Sequence, residues 1–279
     1  MDTSQLGHSQ TGDSPATSAQ IVDLSVTLSE KLPCFWPGHM PFAHKDWNWF
    51  TETELPTGGS CCSVGPYHTC FLVVDEHSGT HLDGPTHFIP PGDSGLPWAS
   101  PLGALSADRL DLRRLVGPAA VVDVRSLTGT GSAGVSPTIT AAHLRDWEAR
   151  HGDLQPGEVV LLWTDWTRHY VEGPAGGRFV HQPFVTRTAP GWPAPDAEAA
   201  IYLHERGIVT VGIDAPSMGS AHDGAPVHQE GLSRGMLFIE MLTNLGALPV
   251  RGTTFVFLPI KVAGATGGPG RAIAFVPAG

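Results

Sequence analysis

The sequence has few positive charges, few cysteines and no long hydrophobic run, and each of these shortages excludes a class of protein. Lysine and arginine together number 16 against 27 acidic residues, which gives a formal net charge of −11. Nucleic acids and anionic membranes bind proteins through basic patches, so neither is an expected partner. No apolar run of about 18 residues occurs, which argues against a membrane-spanning helix. A small molecule is therefore the expected partner.

The four cysteines form no recognisable disulfide framework or zinc module. Cys61 and Cys62 are adjacent and cannot easily bridge each other, and the positions of Cys34 and Cys70 complete no zinc-binding spacing. Reduced, packed thiols are expected, and a catalytic cysteine is the alternative. The N-terminal residues lack a positive segment followed by an apolar one, so we expect a cytoplasmic protein.

The rest of the composition is that of a folded domain preceded by a polar tail. The chain has 279 residues, of which 41% are hydrophobic and 15% are charged, and this suffices for a substantial core. Residues 1–19 are rich in Ser, Thr, Gly and Gln, which predicts a disordered tail. No shift in composition marks an internal boundary, so one domain is expected over residues 20–279.

Short apolar segments alternate with loops along this domain, and they are rich in Val, Ile and Phe, as strands are. Two helical patterns separate them. One is capped by Thr140 and ends at Gly152, and the other opens at Pro195 and Asp196 and ends at Gly207. This alternation predicts an α/β domain with a mixed sheet and flanking helices. The expected strands cover residues 21–28, 70–74, 119–124, 158–164, 208–214, 236–240, 253–262 and 271–276.

The densest chemical signal is HSGTHLDGPTHF at residues 77–88, which holds three histidines and one aspartate. A helix would place His77 and His81 on one face. However, Gly79 disfavours a helix and Pro85 breaks one. An extended chain is therefore expected, as a continuation of the strand that precedes the motif.

On an extended chain, the side chains of His77, His81 and Asp83 point to the same side. His81 and Asp83 lie about 6.6 Å apart at roughly 3.3 Å per residue, close enough to share one ion. His77 is about 13 Å from His81 on a straight strand, and a bend at Gly79 would shorten this distance. The Gly-Pro pair after Asp83 turns the chain, which lets His87 return to the same pocket.

Three histidines and an aspartate in an apolar context predict a metal site. A single histidine on a strand is usually a satisfied polar residue, but burial of this whole set without a cation would leave several polar groups short of partners. Imidazole and carboxylate ligands suit Zn²⁺ or Mn²⁺ and do not distinguish between them. One or two ions per subunit are expected.

The motif resembles the His-x-Gly-Thr-His-x-Asp-x-Pro-x-His-Phe signature of the cyclase family, which includes bacterial kynurenine formamidases, isatin hydrolases and related lactam-opening enzymes. Four further segments resemble family blocks in the same order, so the resemblance covers most of residues 21–276. It implies a single swivelling β/β/α domain with a mixed sheet. The four segments are FWPG at 35–38, VVLLWTDW at 159–166, VGIDAPS at 211–217 and FLPIKVAGATGGPGRA at 257–272.

The resemblance also implies roles for individual residues. In the family, the first two histidines and the aspartate of the motif hold the metal, and the third histidine lies at a second metal or beside the catalytic water. A further histidine and, twelve residues later, a glutamate complete the centre, and His228 and Glu240 hold that spacing. The implied metal ligands are His77, His81, Asp83, His87, His228 and Glu240, with His228 and His87 as the catalytic residues.

His228 is preferred as the acid–base residue because an imidazole with a pKa of about 6.5 exchanges protons in both directions at neutral pH. His222 competes for this role, and a histidine on a helix surface is the plain alternative for His228. Glu240 ends an apolar segment, where an unpaired carboxylate is costly to bury, so a nearby cation is the simplest compensation. In such a centre, a divalent ion lowers the pKa of bound water from about 15.7 towards 7.

Other polar and aromatic residues have two open interpretations. Asp214 and Ser217 follow a predicted strand, where site residues of α/β proteins are common, or they cap the following turn. Four aromatic residues before the motif form a wall for a flat substrate or belong to the core. They are Trp36, Trp47, Trp49 and Phe50.

The expected function is metal-dependent hydrolysis of an amide C–N bond in a small aromatic or cyclic substrate. An N-formyl arylamine such as N-formylkynurenine and a lactam such as isatin are the candidate substrates. No Gly-x-Ser-x-Gly elbow supports acyl-enzyme chemistry, and no organic cofactor is expected. A homodimer or larger homo-oligomer is expected. The alternative is a non-catalytic metal-binding or sensor protein on the same scaffold.

Overall fold

The computed structural model of the protein describes residues 19–50 and 67–277. The helices in these ranges are α1 (Ala141–His151), α2 (Ala197–Glu205) and α3 (Ala225–Ser233). The strands are β1 (Gln20–Asp23), β2 (Ala43–Trp49), β3 (His68–Val73), β4 (His81–Asp83), β5 (Val116–Asp123), β6 (Thr138–Ile139), β7 (Val159–Trp163), β8 (Ala194–Pro195), β9 (Thr210–Ile213), β10 (Leu237–Glu240), β11 (Thr253–Pro259) and β12 (Gly267–Val276).

Eight strands form one mixed sheet in the order β1-β12-β11-β5-β7-β9-β10-β4. The strands β5, β7, β9 and β10 run parallel, and the other neighbours pair antiparallel. Because β4 pairs with β12 as well as with β10, seven strands close into a ring, and β1 lies outside it. This architecture confirms the predicted α/β fold class with its mixed sheet and flanking helices.

The two faces of the sheet pack in separate apolar clusters. Along β7, Val160 and Leu162 join the cluster that includes Trp147 of α1, whereas Val159 and Leu161 join the opposite cluster. This alternation follows from the two-residue period of a strand. Both faces are therefore buried, which explains why the parallel strands read as continuous apolar runs.

The two predicted helices are confirmed with their caps. The Thr140 side chain accepts the N–H of His143, the third residue of α1, and the Thr140 N–H donates to His143 Nδ1 at 3.0 Å. At the start of α2, Asp196 accepts the Ala199 N–H at 2.8 Å. Gly152 and Gly207 follow these helices with φ of 85° and 76°, a left-handed conformation that favours glycine.

The third helix, α3, is not among the helices predicted from the sequence, because Pro226 and Gly231 interrupt its helical pattern. Pro226 lies in the first turn, where its missing N–H costs no hydrogen bond. A Cβ at Gly231 would lie 2.3 Å from Phe238 of β10, so the glycine allows the helix to approach the sheet closely. The interruption of the pattern is therefore a packing requirement.

Residues 70–74 form a strand as predicted, but the prediction that this strand continues into the motif is wrong. These residues fall mostly in β3, whose sole partner strand in the part of the chain that the structure describes is β2, in a separate hairpin. The chain then turns at Asp75. The side chain of Asp75 accepts the His77 N–H at 2.9 Å, and its backbone carbonyl accepts the Ser78 N–H at 3.1 Å. His77 consequently lies on a loop.

Two other predictions concern regions that the structure does not reach. The predicted tail at residues 1–19, except for its last residue, and the cysteines Cys61 and Cys62 lie outside the described residues. The tail and the extent of the domain stay predictions. Among the described residues, no helix is both long and apolar enough to cross a membrane.

Candidate metal centre

A cavity of about 320 Å³ lies beside β4 and β10. Its wall combines polar groups with the apolar side chains of Trp36, Phe88, Phe184 and Met241. All six residues that the sequence predicts as ligands or catalytic groups line this cavity. They are His77, His81, Asp83, His87, His228 and Glu240.

The floor of the cavity is set by the register of two antiparallel strands. His81 of β4 is opposite Glu240 of β10, and Asp83 follows His81 by two residues on the same side. The Nε2 atom of His81 lies 3.4 Å from Asp83 Oδ1 and 3.4 Å from Glu240 Oε2. All three side chains are buried. One imidazole therefore faces two carboxylates away from bulk water.

The loop before β4 brings His77 to the same carboxylate. Gly79 has a φ of 60°, and this confirms the bend that the sequence predicts. As a result, His77 Nδ1 lies 2.7 Å from Asp83 Oδ1. The other ring nitrogen of His77 is 3.0 Å from Thr266 Oγ1, which holds the ring in place.

The turn after β4 delivers two further rings to the cavity. The segment Pro85–His87 forms a single 3₁₀ turn, as the Gly-Pro pair predicts. The ring of His87 then stacks on that of His77, with centroids 3.8 Å apart. The next residue, Phe88, stacks on His228 with centroids 4.4 Å apart. A short turn thus supplies one titratable ring and one apolar support.

His228 reaches the carboxylates from α3. Its Nδ1 lies 2.7 Å from the Gly224 carbonyl oxygen, so this nitrogen carries the proton and donates. The opposite nitrogen, Nε2, lies 3.2 Å from Glu240 Oε1 and 3.3 Å from Asp83 Oδ2. His228 is buried, and this finding excludes the alternative of a histidine on the helix surface.

The competing histidine, His222, lies elsewhere. Its Nδ1 accepts the Ser136 N–H at 3.2 Å, and the residue lines a separate cavity between β8 and the start of α3. It contacts none of the carboxylates of the metal centre through the hydrogen bonds seen in the described residues. The geometry therefore favours His228 over His222 for the acid–base role.

The donor atoms fit a metal ion. His77, Asp83 and His87 form one group of ligand atoms, and His81, Asp83 and Glu240 form another; within each group the atoms lie within 4.8 Å of one another. Asp83 belongs to both groups and has two oxygens to offer. The set contains only imidazole nitrogens and carboxylate oxygens, which suit Zn²⁺ or Mn²⁺, and it accommodates one ion or two.

The electrostatics of the centre indicate where a cation would go. Burial opposes the ionised form of Asp83 and Glu240, but the surrounding imidazoles hold the pKa of both carboxyls below their usual values. Burial also opposes protonation of His81 and His228, yet hydrogen bonds to the two carboxylates raise the pKa of each to about 10. Burial lowers the pKa of His87 to about 4. Protons thus balance the carboxylate charge, and a divalent cation would replace them.

The two residues after β9 separate into different roles. Ser217 lines the cavity, and its hydroxyl donates to Glu240 Oε1 at 3.3 Å. Asp214 instead accepts the N–H groups of Thr164 and Asp165 at 2.7 and 2.8 Å, and it fixes the turn that follows β7. Ser217 therefore fits both interpretations, because its Oγ also accepts the Gly219 N–H at 3.0 Å in the following turn. Asp214 holds the turn after β7 and not the following turn that the sequence suggests.

The aromatic residues before the motif also separate. Trp36 lines the cavity and contacts Phe184, with ring centroids 4.6 Å apart. Trp47 and Trp49 belong to β2, and Phe50 follows this strand directly. Their side chains are between 54% and 59% exposed. They form neither the wall nor the core. Only Trp36 fits the predicted wall.

Sequence reasoning missed three residues around the centre. Phe184 lies in a π-helical turn (His181–Val185), outside the predicted helices and strands. His39 lines the mouth of the cavity, and its Nδ1 lies 3.3 Å from Asp75 Oδ1. Thr266 contacts His77 from the far end of the chain. Phe184 carries no local pattern, whereas His39 directly follows the FWPG segment and Thr266 lies inside the segment FLPIKVAGATGGPGRA.

Comparison with known proteins identifies the family. The family model described as "Cyclase: Putative cyclase" matches residues 22–220. The chain belongs to the cyclase family. An isatin hydrolase from Roseibium aggregatum is 33% identical over 222 residues, which cover 77% of this chain and 78% of that protein. A kynurenine formamidase from Bacillus mycoides is 25% identical over 257 residues, which cover 92% of this chain and 97% of that protein.

Solved structures confirm the fold of this cyclase-family chain. Isatin hydrolase A from Ralstonia solanacearum matches with a TM-score of 0.72 and 25% identity over 97% of this chain and 100% of that chain. An isatin hydrolase bound to the product analogue thioisatinate has a TM-score of 0.76 and 24% identity, with 94% of both chains covered. The predicted family and the predicted hydrolase class are confirmed. The family model ends before His228 and Glu240, so the case for these two residues rests on the geometry described above.

Proposed function

We propose that this protein hydrolyses an amide C–N bond of a small aromatic or cyclic substrate, with a divalent metal ion held in the cavity. One observation carries the proposal: the buried carboxylates of Asp83 and Glu240 face the Nε2 atoms of His81 and His228 at distances of 3.2 to 3.4 Å. The names of the related isatin hydrolase and kynurenine formamidase support a lactam or an N-formyl arylamine as substrate.

The residues proposed to hold the metal share three properties: they are nitrogen or carboxylate donors, they are largely buried, and they line one cavity. A divalent ion such as Zn²⁺ or Mn²⁺ supplies activation of a water molecule and polarisation of a carbonyl when it is bound. The proposed ligands are His77, His81, Asp83, His87 and Glu240, and His228 is reserved for proton transfer.

His228 is the proposed acid–base residue. The Gly224 carbonyl fixes its Nδ1 as the protonated nitrogen, and Phe88 stacks against the ring, so Nε2 faces the cavity in one orientation. Nε2 can therefore take a proton and deliver it to the departing nitrogen of the amide. His87 is the second proposed catalytic residue, because it lines the cavity and its ring stacks on that of the proposed ligand His77.

The apolar wall positions the substrate. Trp36 and Phe184 pack against each other on one side, and Phe88 supports the other rings of the centre. A flat aromatic ring buries apolar area against such a wall, and its amide can then reach the polar floor. The geometry accordingly favours an aromatic amide over an extended peptide.

Elemental analysis combined with a substrate panel tests the proposal. The purified full chain should contain a divalent metal and should hydrolyse members of a panel that includes isatin and N-formylkynurenine. Exhaustive chelation should abolish turnover, and Zn²⁺ or Mn²⁺ should restore it. Turnover by protein confirmed to be metal-free would contradict the proposal. A metal-loaded protein that is inert towards the whole panel would instead support a non-catalytic metal-binding protein. A homo-oligomer and a cytoplasmic location stay predictions.

A further inference from the structure

A second group of metal-ligating side chains lies on the hairpin formed by β2 and β3, outside the cavity. Asp46 Oδ1 is 2.8 Å from His68 Nε2 and 3.4 Å from Cys70 Sγ. The Cys70 sulfur is also 3.2 Å from the same His68 nitrogen. Three ligand atoms from three residue types therefore form a small triangle.

The hairpin backbone places these three residues on one face. His68 and Cys70 are two residues apart on β3, and Cys70 is paired with Asp46 across the two strands. The pairing shifts by one residue between Asp46 and Asn48, and such a bulge redirects neighbouring side chains. The Trp49 ring packs against the His68 ring in a T-shaped arrangement with centroids 4.6 Å apart, and this contact supports the imidazole.

We propose that Asp46, His68 and Cys70 bind a thiophilic divalent cation of the Zn²⁺ type, at a site independent of the central one. Tetrahedral zinc with bonds of about 2.0 to 2.3 Å requires ligand atoms roughly 3.3 to 3.6 Å apart. The two distances that involve sulfur are close to this range, and the distance between Asp46 and His68 must widen by about 0.5 Å on binding.

Charge and exposure suit such an ion. Cys70 would release its proton to solvent on binding, so one thiolate and one carboxylate would balance the double positive charge of the cation. The side chain of Asp46 is 70% exposed and that of His68 is 32% exposed, so a water molecule can occupy the fourth position. Three protein ligands with one open position make a recognised zinc arrangement.

The sulfur ligand distinguishes this site from the central one. Thiolate favours Zn²⁺ and similar soft ions, whereas carboxylates and imidazoles also accept Mn²⁺. The central group of donors contains no sulfur among the described residues. The hairpin site should therefore bind Zn²⁺, Cd²⁺ or Co²⁺ and discriminate against Mn²⁺.

Metal binding here would tie the two strands of the hairpin together. An isolated two-stranded hairpin is only marginally stable. Asp46 and His68 are 22 positions apart in the sequence, so a metal ion bound to both would close a long segment of chain. A cross-link that closes a long segment reduces the conformational freedom of the unfolded chain. Because β3 leads directly into the loop that carries His77, an ordered hairpin also anchors one side of the cavity.

Cobalt absorption spectroscopy on the purified full chain tests this site. A thiolate bound to Co²⁺ gives a charge-transfer absorption that nitrogen and oxygen ligands do not give. We expect the wild-type protein to show this absorption, Cys70→Ser to lose it, and His68→Gln to require at least tenfold more Co²⁺ for the same signal. Asp83→Asn, a variant of the central site, should keep it. His204→Gln, at an exposed histidine on α2, is the matched surface control and should behave as wild type.

Zinc content gives a second readout. After saturation with Zn²⁺ and removal of excess ion, Cys70→Ser should retain one equivalent less than the wild type and His204→Gln. If saturating Co²⁺ produces no thiolate absorption in the wild type, or if the absorption is unchanged in Cys70→Ser, the proposal is overturned. The three side chains would then form only a hydrogen-bonded group on the hairpin. Neither outcome depends on whether the central site hydrolyses amides.

Discussion

Asp83 and His77 are joined by a contact of 2.7 Å between Oδ1 and Nδ1, although a bent loop separates the two residues along the chain. The same carboxylate also faces His81 at 3.4 Å and His228 at 3.3 Å. Among the carboxylates in the described ranges, Asp83 is therefore the one that contacts imidazoles from the loop, from β4 and from α3. Its charge is the natural centre of any cation site in the cavity.

The substitution Asp83→Asn should reduce metal content sharply, with affinity falling at least tenfold. It preserves the shape of the side chain but removes one negative charge from the cation and one ionised ligand oxygen. Elemental analysis after dialysis measures the effect. Asp214→Asn is the matched control, since Asp214 is equally buried but holds a turn away from the cavity. Unchanged metal occupancy in Asp83→Asn would remove Asp83 from the ligand set.

Glu240→Gln should lose metal as well as activity. Glu240 is buried opposite His81 and also receives hydrogen bonds from Ser217 and from the backbone N–H of Met218. A neutral amide at this position keeps the packing but leaves the cation with less negative charge. Metal titration of the folded variant provides the measurement. Full metal binding together with lost turnover would instead assign Glu240 a role in the chemistry alone.

His228→Ala should keep at least one metal ion and lose roughly 10²- to 10⁴-fold in turnover, the usual range for removal of a general acid or base. The pH profile of the residual activity should also change. The comparison requires metal-saturated protein, because weak metal binding would otherwise imitate lost chemistry. His222→Ala is the matched control and should retain near-normal turnover. The reverse pattern would transfer the acid–base role to His222.

Gly79→Ala should lower the free energy of unfolding by about 2–4 kcal/mol and weaken metal binding. An alanine with a φ of 60° is strained, and its Cβ would lie 2.5 Å from Leu28, which must move. Gly95→Ala separates the two effects, because Gly95 has a φ of 69° and no atom within 4 Å of the added Cβ. Denaturant unfolding should give a smaller loss for the control. Equal losses would show that Leu28 adds no constraint.

Asp214 should make stability depend on pH. Burial raises the pKa of this carboxyl to about 7 in the folded protein, and the hydrogen bonds from Thr164 and Asp165 only partly oppose the shift. The folded state then holds a proton that the unfolded state releases at about pH 4. Its contribution to stability is complete below that pH and disappears as the pH rises to about 7, with a limiting slope of about 1.4 kcal/mol per pH unit.

Denaturant unfolding at several pH values measures this dependence. Asp214→Asn should flatten the slope between about pH 4 and pH 7, whatever its effect on absolute stability. Exposed Asp123, whose carboxylate pairs with Arg125 at 2.7 Å, supplies the control variant Asp123→Asn, which should preserve the slope. An identical slope in wild type and Asp214→Asn would mean that Asp214 stays ionised over this range.

The sequence predicts the centre well where its ligands are close together in the chain. The residues from His77 to His87 are spaced by glycine and proline, and the bend and turn at these spacers follow from backbone sterics alone. The location of His228 in the cavity depends on α3, which packs through Gly231 on a neighbouring strand. Packing of this kind is not visible in local propensity, and the sequence therefore leaves His222 as an alternative.

The hairpin of β2 and β3 is the part of the fold that the sequence predicts poorly. The residues of β3 have the composition of a core strand, and the sequence predicts that they run into the motif. In the structure, Phe71 and Leu72 are exposed on a two-stranded sheet, and Asp75 turns the chain before His77. A run of apolar residues indicates a strand, but it does not indicate which sheet the strand joins. Likewise, the sequence does not predict that Asp46 pairs with Cys70, because this pairing depends on the register of two strands joined by a long connection.

The ring of seven strands closes through β4, a strand of only three residues that bonds to β10 on one side and to β12 on the other. Within the ring every strand is paired on both sides, and unpaired strand edges are where chains associate into aggregates. Opening at β4 would expose the edges of β10 and β12 together, two rows of unpaired backbone groups. Because His81 and Asp83 belong to this strand, whatever holds them in place also protects the protein from aggregation.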